Sequence, residues 1–240
     1  MAGLRRGSLT RELLVKESLR LLDTDGVAGF SLPKLGRAVG ADPTAIYRHF
    51  ASKDDLVRAI ADALLEEASA GLAPGPCWVG TLDEIARRIR RTYLAHPAAA
   101  SLSSYQTTQG PAEMRMVDMV IGAVLAAGFA GAEAATVYRA FGDFAVFWSG
   151  GEAAFLALGE TAQRADLNAW TRAYLVADRS AYPSIWRIRE HLPGAADDDE
   201  IFETSLSFML AGLVSHAPNP CTCGAHAGER PVASQDGKTG

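Results

Sequence analysis

Between positions 44 and 53 the chain carries Thr44, Ala45, Tyr47, Arg48, His49 and Lys53, residue types suited to contact with a nucleic acid. An arginine can fork onto the O6 and N7 of guanine, an alanine can touch the thymine methyl, and a threonine hydroxyl can reach a base edge or a phosphate. Tyrosine, histidine and lysine suit phosphate oxygens. Upstream, Ser31 and Lys34 add a hydroxyl and an ammonium. Nothing comparable points to catalysis. There is no G-x-S-x-G elbow, no H-E-x-x-H and no phosphate-cradling glycine loop, and the five histidines are scattered, so no enzyme is expected.

A helix-turn-helix brings such side chains to base edges with two short helices at a steep angle joined by a tight turn. Four helices fit between Thr10 and Glu67. Thr10 caps a first helix with an apolar stripe of Val15, Leu19 and Leu22 flanked by Leu14, Ser18 and Leu21, and the helix closes at Asp25-Gly26. Ser31 caps a second that ends at Gly40. Asp42-Pro43 opens a third, two turns long to Phe50. Leu35, Ala38, Val39 and Ile46 pack the second against the third, with Gly36 and Ala38 small enough for close approach. Ser52 caps a fourth, where Leu56, Val57, Ile60, Ala61, Leu64 and Leu65 recur at helical spacing. Helix pairs of this kind also occur in proteins that bind nothing, so spacing alone leaves the reading open.

Charge favours the nucleic acid. The net charge is −5, yet Met1 to Lys53 holds nine Lys/Arg against five Asp/Glu, a balance of +4, while the remainder carries −9. A small basic module on an acidic body suits a protein that meets phosphates at one end.

The rest is helical too. Gly71 to Gly80 is a glycine- and proline-rich break, and the expected organisation is a helix-turn-helix region over 1–70, a helical region over 71–216 and a disordered tail over 217–240. Helices are expected at Thr81–Ala95, Ala98–Leu102, Pro111–Ala127, Gly131–Leu158, Leu167–Ala177, Ser184–His191 and Asp198–His216, with Gly150-Gly151 allowing close backbone approach. The fold class is all-α. The composition, 48% hydrophobic and 21% charged, is that of a globular protein, and no apolar run nears the roughly 20 residues that span a bilayer. A secretory signal is not evident, so the cytoplasm is the expected location.

Tyr105, Met119, Phe141, Phe144 and Trp148, with other aromatics and methionines up to Phe155, suit either a core or a ligand cavity between helices, since both are built of the same side chains. Phe144 and Trp148, one turn apart, are the favoured pair. His96 before Pro97 reads as a helix end. Asp197-Asp198-Asp199-Glu200 reads as a solvated run favouring the start of the last helix. Three cysteines, Cys77, Cys221 and Cys223, are too few for a disulfide framework, and reduced thiols are expected. Cys221, Cys223, His216 and His226 nevertheless allow a second reading, a metal- or redox-responsive tail, although C-x-C is not zinc-knuckle spacing. No metal or cofactor is expected.

Residues 13–60 resemble the N-terminal domain of the TetR family of bacterial repressors: Gly26, Ser31, Leu35, Gly40, Tyr47, Phe50, Ser52, Lys53 and Leu56 carry the likeness. Thr92 to Pro97, Leu125 to Phe129, Phe147 to Glu152 and Phe202 to Leu213 are similar, more loosely, to its tetracycline-repressor-like branch. The resemblance implies a homodimer joined through the long and last helices, a roughly palindromic double-stranded operator, and release by a small-molecule effector. On the loop after Thr92–Pro97, where that branch places a second, metal-holding histidine, this chain has Ser103-Ser104 or their neighbours, which argues against a tetracycline–metal effector. Only Lys34 remains as a basic residue early in the second helix.

Overall fold

The computed structural model describes residues 9–75, 77–192, 198–219 and 221. Among them eleven α-helices form and no strand. α1 (Arg11–Gly29) starts where the Thr10 side chain accepts the Leu13 N–H at 3.1 Å. Its regular part stops at Gly26, whose φ of +67° is the left-handed conformation that glycine adopts without strain. α2 (Leu32–Ala38) is capped by Ser31, and α3 (Pro43–Ile46) by Asp42, which accepts the Thr44 N–H at 2.8 Å. Gly36 takes the close approach alone: a Cβ there would stand 2.8 Å from the Ala41 carbonyl oxygen, whereas Ala38, expected at the same contact, is exposed. α3 is shorter than the two turns expected. Past Ile46 the chain tightens, with Arg48 and His49 amides bonding three residues back at 3.2 and 2.9 Å, and Phe50 turns into the core.

α4 (Lys53–Ser69) opens on Ser52, which accepts the Asp55 N–H at 3.1 Å, and buries Leu56, Ile60 and Leu64. The glycine-proline break is shorter than expected, because α5 (Trp78–Ala95) starts at Trp78: Trp78, Val79 and Leu82 are buried, and packing overrides Gly80. α6 (Pro97–Ser103), α7 (Pro111–Ala126) and α8 (Gly131–Leu156) follow, then α9 (Glu160–Leu175), α10 (Pro183–Ile188) and α11 (Asp198–His216). α9 begins seven residues before the expected Leu167; it buries no side chain, so no apolar period marked its start.

α5 is the hub, packed against α4, α7, α8 and α11. Its Leu82, Ile85, Ala86 and Ile89 are almost wholly buried. Arg90 ties α11 to α8: it bonds Glu152 at 2.5 and 2.7 Å, pairs with Asp199 at 2.7 Å, and lies over the Phe202 ring. Gly150 faces Ser104, leaving no room for a Cβ, so the end of α6 seats against α8 as the glycine pair allowed. Asp198–Glu200 form the first turn of α11; Asp197 lies outside the described residues.

The cysteines depart from expectation. Cys77, the residue before α5, is joined to Cys221 in a disulfide, with Cα atoms 6.3 Å apart. The start of the presumed tail packs down: the Asn219 amide donates to the Ala127 carbonyl at 2.8 Å and its side chain to Ala126 at 3.2 Å, drawing Cys221 back across the turn after α7. Contacts between residues 144 apart leave no local trace in a sequence. Cys223 and His226 lie outside the described residues.

Candidate nucleic-acid interface and effector cavity

α3 and the turn behind it present one exposed edge. Thr44, Tyr47 and Arg48 are exposed there, Lys53 is exposed at the first turn of α4, and Ala45 and His49 are half-buried between them. Tyr47 points outward with 53% of its surface accessible, while Phe50 is sealed inside. Some groups are already engaged. The Thr44 hydroxyl donates to Asp42 at 2.6 Å, and with the Thr44 amide it holds the Asp42 carboxyl below its ordinary range. Thr44 therefore offers lone pairs more readily than its proton. Lys34 pairs with Asp25 at 2.8 Å, which lowers the Asp25 carboxyl, so its ammonium must leave that partner to meet a phosphate. Ser31 accepts the Lys34 N–H at 3.4 Å and keeps its own proton to donate.

Two residues escaped the sequence reading. Arg37 is exposed on the last turn of α2, beside the same edge. Arg11 braces the edge from behind: it donates to the His49 carbonyl at 2.9 Å, pairs with Asp55 at 3.4 Å, and stacks 4.2 Å over the Phe50 ring. Its partners lie 38 and 44 positions away, so only the three-dimensional fold reveals the role.

A cavity of about 290 Å³ lies between α4, α5, α7 and α8 under the 104–108 segment. Its apolar wall includes Leu65, Ile89, Met116 and Phe141; Tyr93, Tyr138, Gln106 and Glu113 give it polar points. Burial, with Glu113 nearby, pushes both the Tyr93 and Tyr138 phenols up, so both stay protonated at neutral pH and can donate. Gln106 Oε1 is buried without a hydrogen-bond partner among the described residues. A buried acceptor of this kind calls for a donor from whatever fills the space.

Of the five residues expected at a ligand, Tyr105 and Phe141 line this cavity. Phe144 and Trp148 do not: they lie on the other side of α8, where Phe144 stacks on Phe202 of α11 with centroids 6.4 Å apart and meets Trp148 at 5.8 Å. Met119 lines a second cavity, of about 470 Å³, beside the disulfide. Helical spacing placed these side chains on α7 and α8 without saying which neighbour each would face.

The two regions share α4. Lys53 opens α4 at the exposed edge, Leu56 and Ile60 are buried where the helix packs on past α1, and Ala61 and Leu65 line the cavity. Between them Asp62 caps α7, accepting from Glu113 N at 2.9 Å, Ala112 N at 3.3 Å and the Thr108 hydroxyl at 2.9 Å. His96, at the start of α6, lies 3.0 Å from Asp23 of α1 and 3.3 Å from Glu67 of α4, so beyond ending α5 it links three helices. Among the described residues no group of three or more His, Cys, Asp or Glu is placed to hold a metal, and no helix is long and apolar enough to cross a membrane.

Comparison with known proteins agrees with this layout. Residues 14–60 match the family model described as bacterial regulatory proteins, tetR family, and residues 72–216 match the tetracyclin repressor-like C-terminal domain. An HTH-type transcriptional regulator of Saccharopolyspora erythraea is 28% identical over 210 residues, 87% of this chain and 86% of that protein. The class C tetracycline repressor protein of Escherichia coli is 25% identical over 207 residues, 85% of this chain and 90% of that protein. A TetR transcriptional regulator from Streptomyces coelicolor superposes with a TM-score of 0.69 at 25% identity, covering 88% of this chain and all of the other. ActR of the same organism, in complex with actinorhodin, shares the fold with a TM-score of 0.76 at 20% identity over 89% of this chain and all of that one.

Proposed function

Since the chain belongs to the TetR family of bacterial regulatory proteins, and is thus a DNA-binding regulator of transcription, we propose that it is a repressor released from its operator by a small molecule that fills the cavity beneath residues 104–108. The observation that carries this reading is the shared helix: α4 starts on the exposed edge at Lys53 and forms cavity wall at Ala61 and Leu65. A ligand that shifts the wall shifts the base of the edge. Thr44, Ala45, Tyr47, Arg48, His49 and Lys53 contact the DNA, joined by Arg37, with Ser31 and Lys34 at the margin. The effector is compact and partly aromatic, with a donor for Gln106 and acceptors for Tyr93 and Tyr138. Selection of bound sequences from random DNA, followed by a screen of compounds for release of the winning site, tests the whole reading. Enrichment of no site, or a site that no cavity-binding compound releases, would sink it.

The chain works as a homodimer through the outer faces of α8 and α11, where Phe147, Ile201 and Phe208 are exposed; Phe208 is 70% accessible. Exposed aromatics on adjoining helices suit a buried interface. Phe208→Asp is expected to give monomers in sedimentation at micromolar concentration and to lose operator affinity, because one head reads only one half-site. A dimeric variant would place the interface elsewhere.

Arg48→Ala is expected to weaken operator binding by about 1–3 kcal/mol and to relax preference at one base pair. Competition binding against single-base operator variants measures both. Unchanged preference at every position would show that Arg48 reads no base.

A further inference from the structure

We propose that Cys77 and Cys221 form a thiol–disulfide exchange site through which a low-molecular-weight thiol, entering the second cavity, releases the Cys221 segment that follows α11 from the α4–α5 connection. Cys77 ends the segment that leads from α4, and that segment is bound to the start of α5 by Thr81, whose hydroxyl accepts the Gly75 N–H at 3.0 Å and donates to the Cys77 carbonyl at 3.1 Å. Cys221 follows α11 and reaches Cys77 only because Asn219 is pinned to the end of α7. The disulfide therefore closes a ring through α4–α5, the α7–α8 corner and α11.

Both cysteines line the cavity of about 470 Å³, open enough for a small thiol. Trp78 lines it too, and its buried indole N–H has no hydrogen-bond partner among the described residues, a donor for a carboxylate or carbonyl on the incoming molecule. Cys221 is only half-buried, whereas Cys77 is 8% exposed, so the Cys221 sulfur is the one an attacker reaches. A thiolate attacks Cys221 Sγ; the Sγ–Sγ bond breaks, a mixed disulfide forms on Cys221, and Cys77 leaves as a thiolate that takes up a proton. A second thiolate attacks the outer sulfur of the mixed disulfide, giving the symmetrical small-molecule disulfide and the Cys221 thiol. Two electrons pass from two thiols to the protein disulfide, and the reverse reaction restores it.

The expectation that this chemistry is regulatory rests on the DNA-binding reading above: a protein that reads DNA works amid reducing thiols, where a disulfide persists only while the exchange equilibrium favours it. Because the link fastens the connection that follows α4, opening it loosens the body end of the helix shared by edge and cavity.

The test uses the full chain in buffers of reduced and oxidised glutathione at graded ratios, quenched by acid, alkylated and mapped by mass spectrometry. A Cys77–Cys221 cross-linked peptide is expected to appear and vanish reversibly with the ratio, and the melting temperature to rise by several degrees with its appearance. Cys223→Ser should change neither. Cys221→Ser, at a half-buried position, should abolish both without unfolding the protein, and Cys77→Ser serves as its check. In the same buffers the operator dissociation constant is expected to differ at least about threefold between the two ends, and not at all for Cys221→Ser. Absence of the cross-linked peptide at the oxidising end overturns the site, and so does a cross-link that glutathione opens only in denaturant. A reversible cross-link without effect on operator binding overturns the regulatory role. Mapping needs no DNA, so a protein that exchanges thiols yet selects no operator sinks only the DNA-binding reading.

Discussion

Phe50→Ala is expected to remove operator binding and to destabilise the protein by about 3–5 kcal/mol, the usual cost of emptying a large aromatic site. The ring is 1% exposed and belongs to the same buried core as Leu14, Leu35 and Ile46 of α1, α2 and α3, so that core loses one of its largest side chains. Arg11 loses the face on which it rests 4.2 Å away, and with it the orientation that lets it hold the His49 carbonyl and Asp55. The 47–50 turn, tied to α3 by the Phe50 amide at 3.1 Å, is then free to fray, and the exposed edge loses the rigid backing that aims Tyr47 and Arg48. Thermal melting and operator titration measure the two losses. Tyr47→Ala is the contrast: an exposed ring, whose removal should leave stability within about 0.5 kcal/mol while weakening DNA binding. Operator affinity near wild type for Phe50→Ala would show that the edge needs no support from this ring.

What could be read in advance follows from the range of each interaction. Thr10, Ser31, Asp42 and Ser52 bond amides two or three residues ahead, so all four caps, and the helices they start, were visible as sequence patterns. The exposed edge that the proposal gives to DNA was legible as an element for the same reason: it is one short helix between a glycine turn and a capped helix. The cavity was legible only in part. Phe141 and Phe144 belong to one apolar stretch of α8, and no periodicity within α8 tells which side meets α7 and which meets α11. That choice depends on Phe202 and Arg90, which stand far away in the chain. Composition likewise pointed to reduced thiols, because three cysteines in a chain of 240 make no framework; what brings two of them together is the anchoring of Asn219 on Ala126 and Ala127 at the α7–α8 corner. Asp62 carries no local sign of its role, since its partners lie 46 to 51 positions on.

Asp62→Ala is expected to separate the two halves of the response, leaving effector and operator each bound but the operator no longer released. The carboxylate accepts two amides at the start of α7 and the Thr108 hydroxyl, so its loss strips that helix of its cap and frees the 104–110 loop from α4. Thr108 keeps Glu113 as a second partner at 2.9 Å, and Glu113 also accepts the Gln109 amide, so the loop retains its local shape while losing its tether. Loss of one such cap costs about 0.5–2 kcal/mol, which a protein of this size survives folded. A coupling of about 1–3 kcal/mol is typical between two sites, so removing the chief polar tie between cavity wall and α4 can erase most of the release. Gly110→Ala offers an independent route to the same end, because a Cβ at Gly110 collides with the Asp62 carboxylate and pushes it off the helix terminus. Operator dissociation against effector concentration, measured for both variants beside direct effector binding, decides the matter. If both bind effector as wild type does and neither releases DNA, the tie through Asp62 transmits the signal. If both release normally, the signal runs through apolar contact of Ala61 and Leu65 with the ligand, or through His96 and its bridge to Asp23 and Glu67, and Asp62 serves only to cap α7.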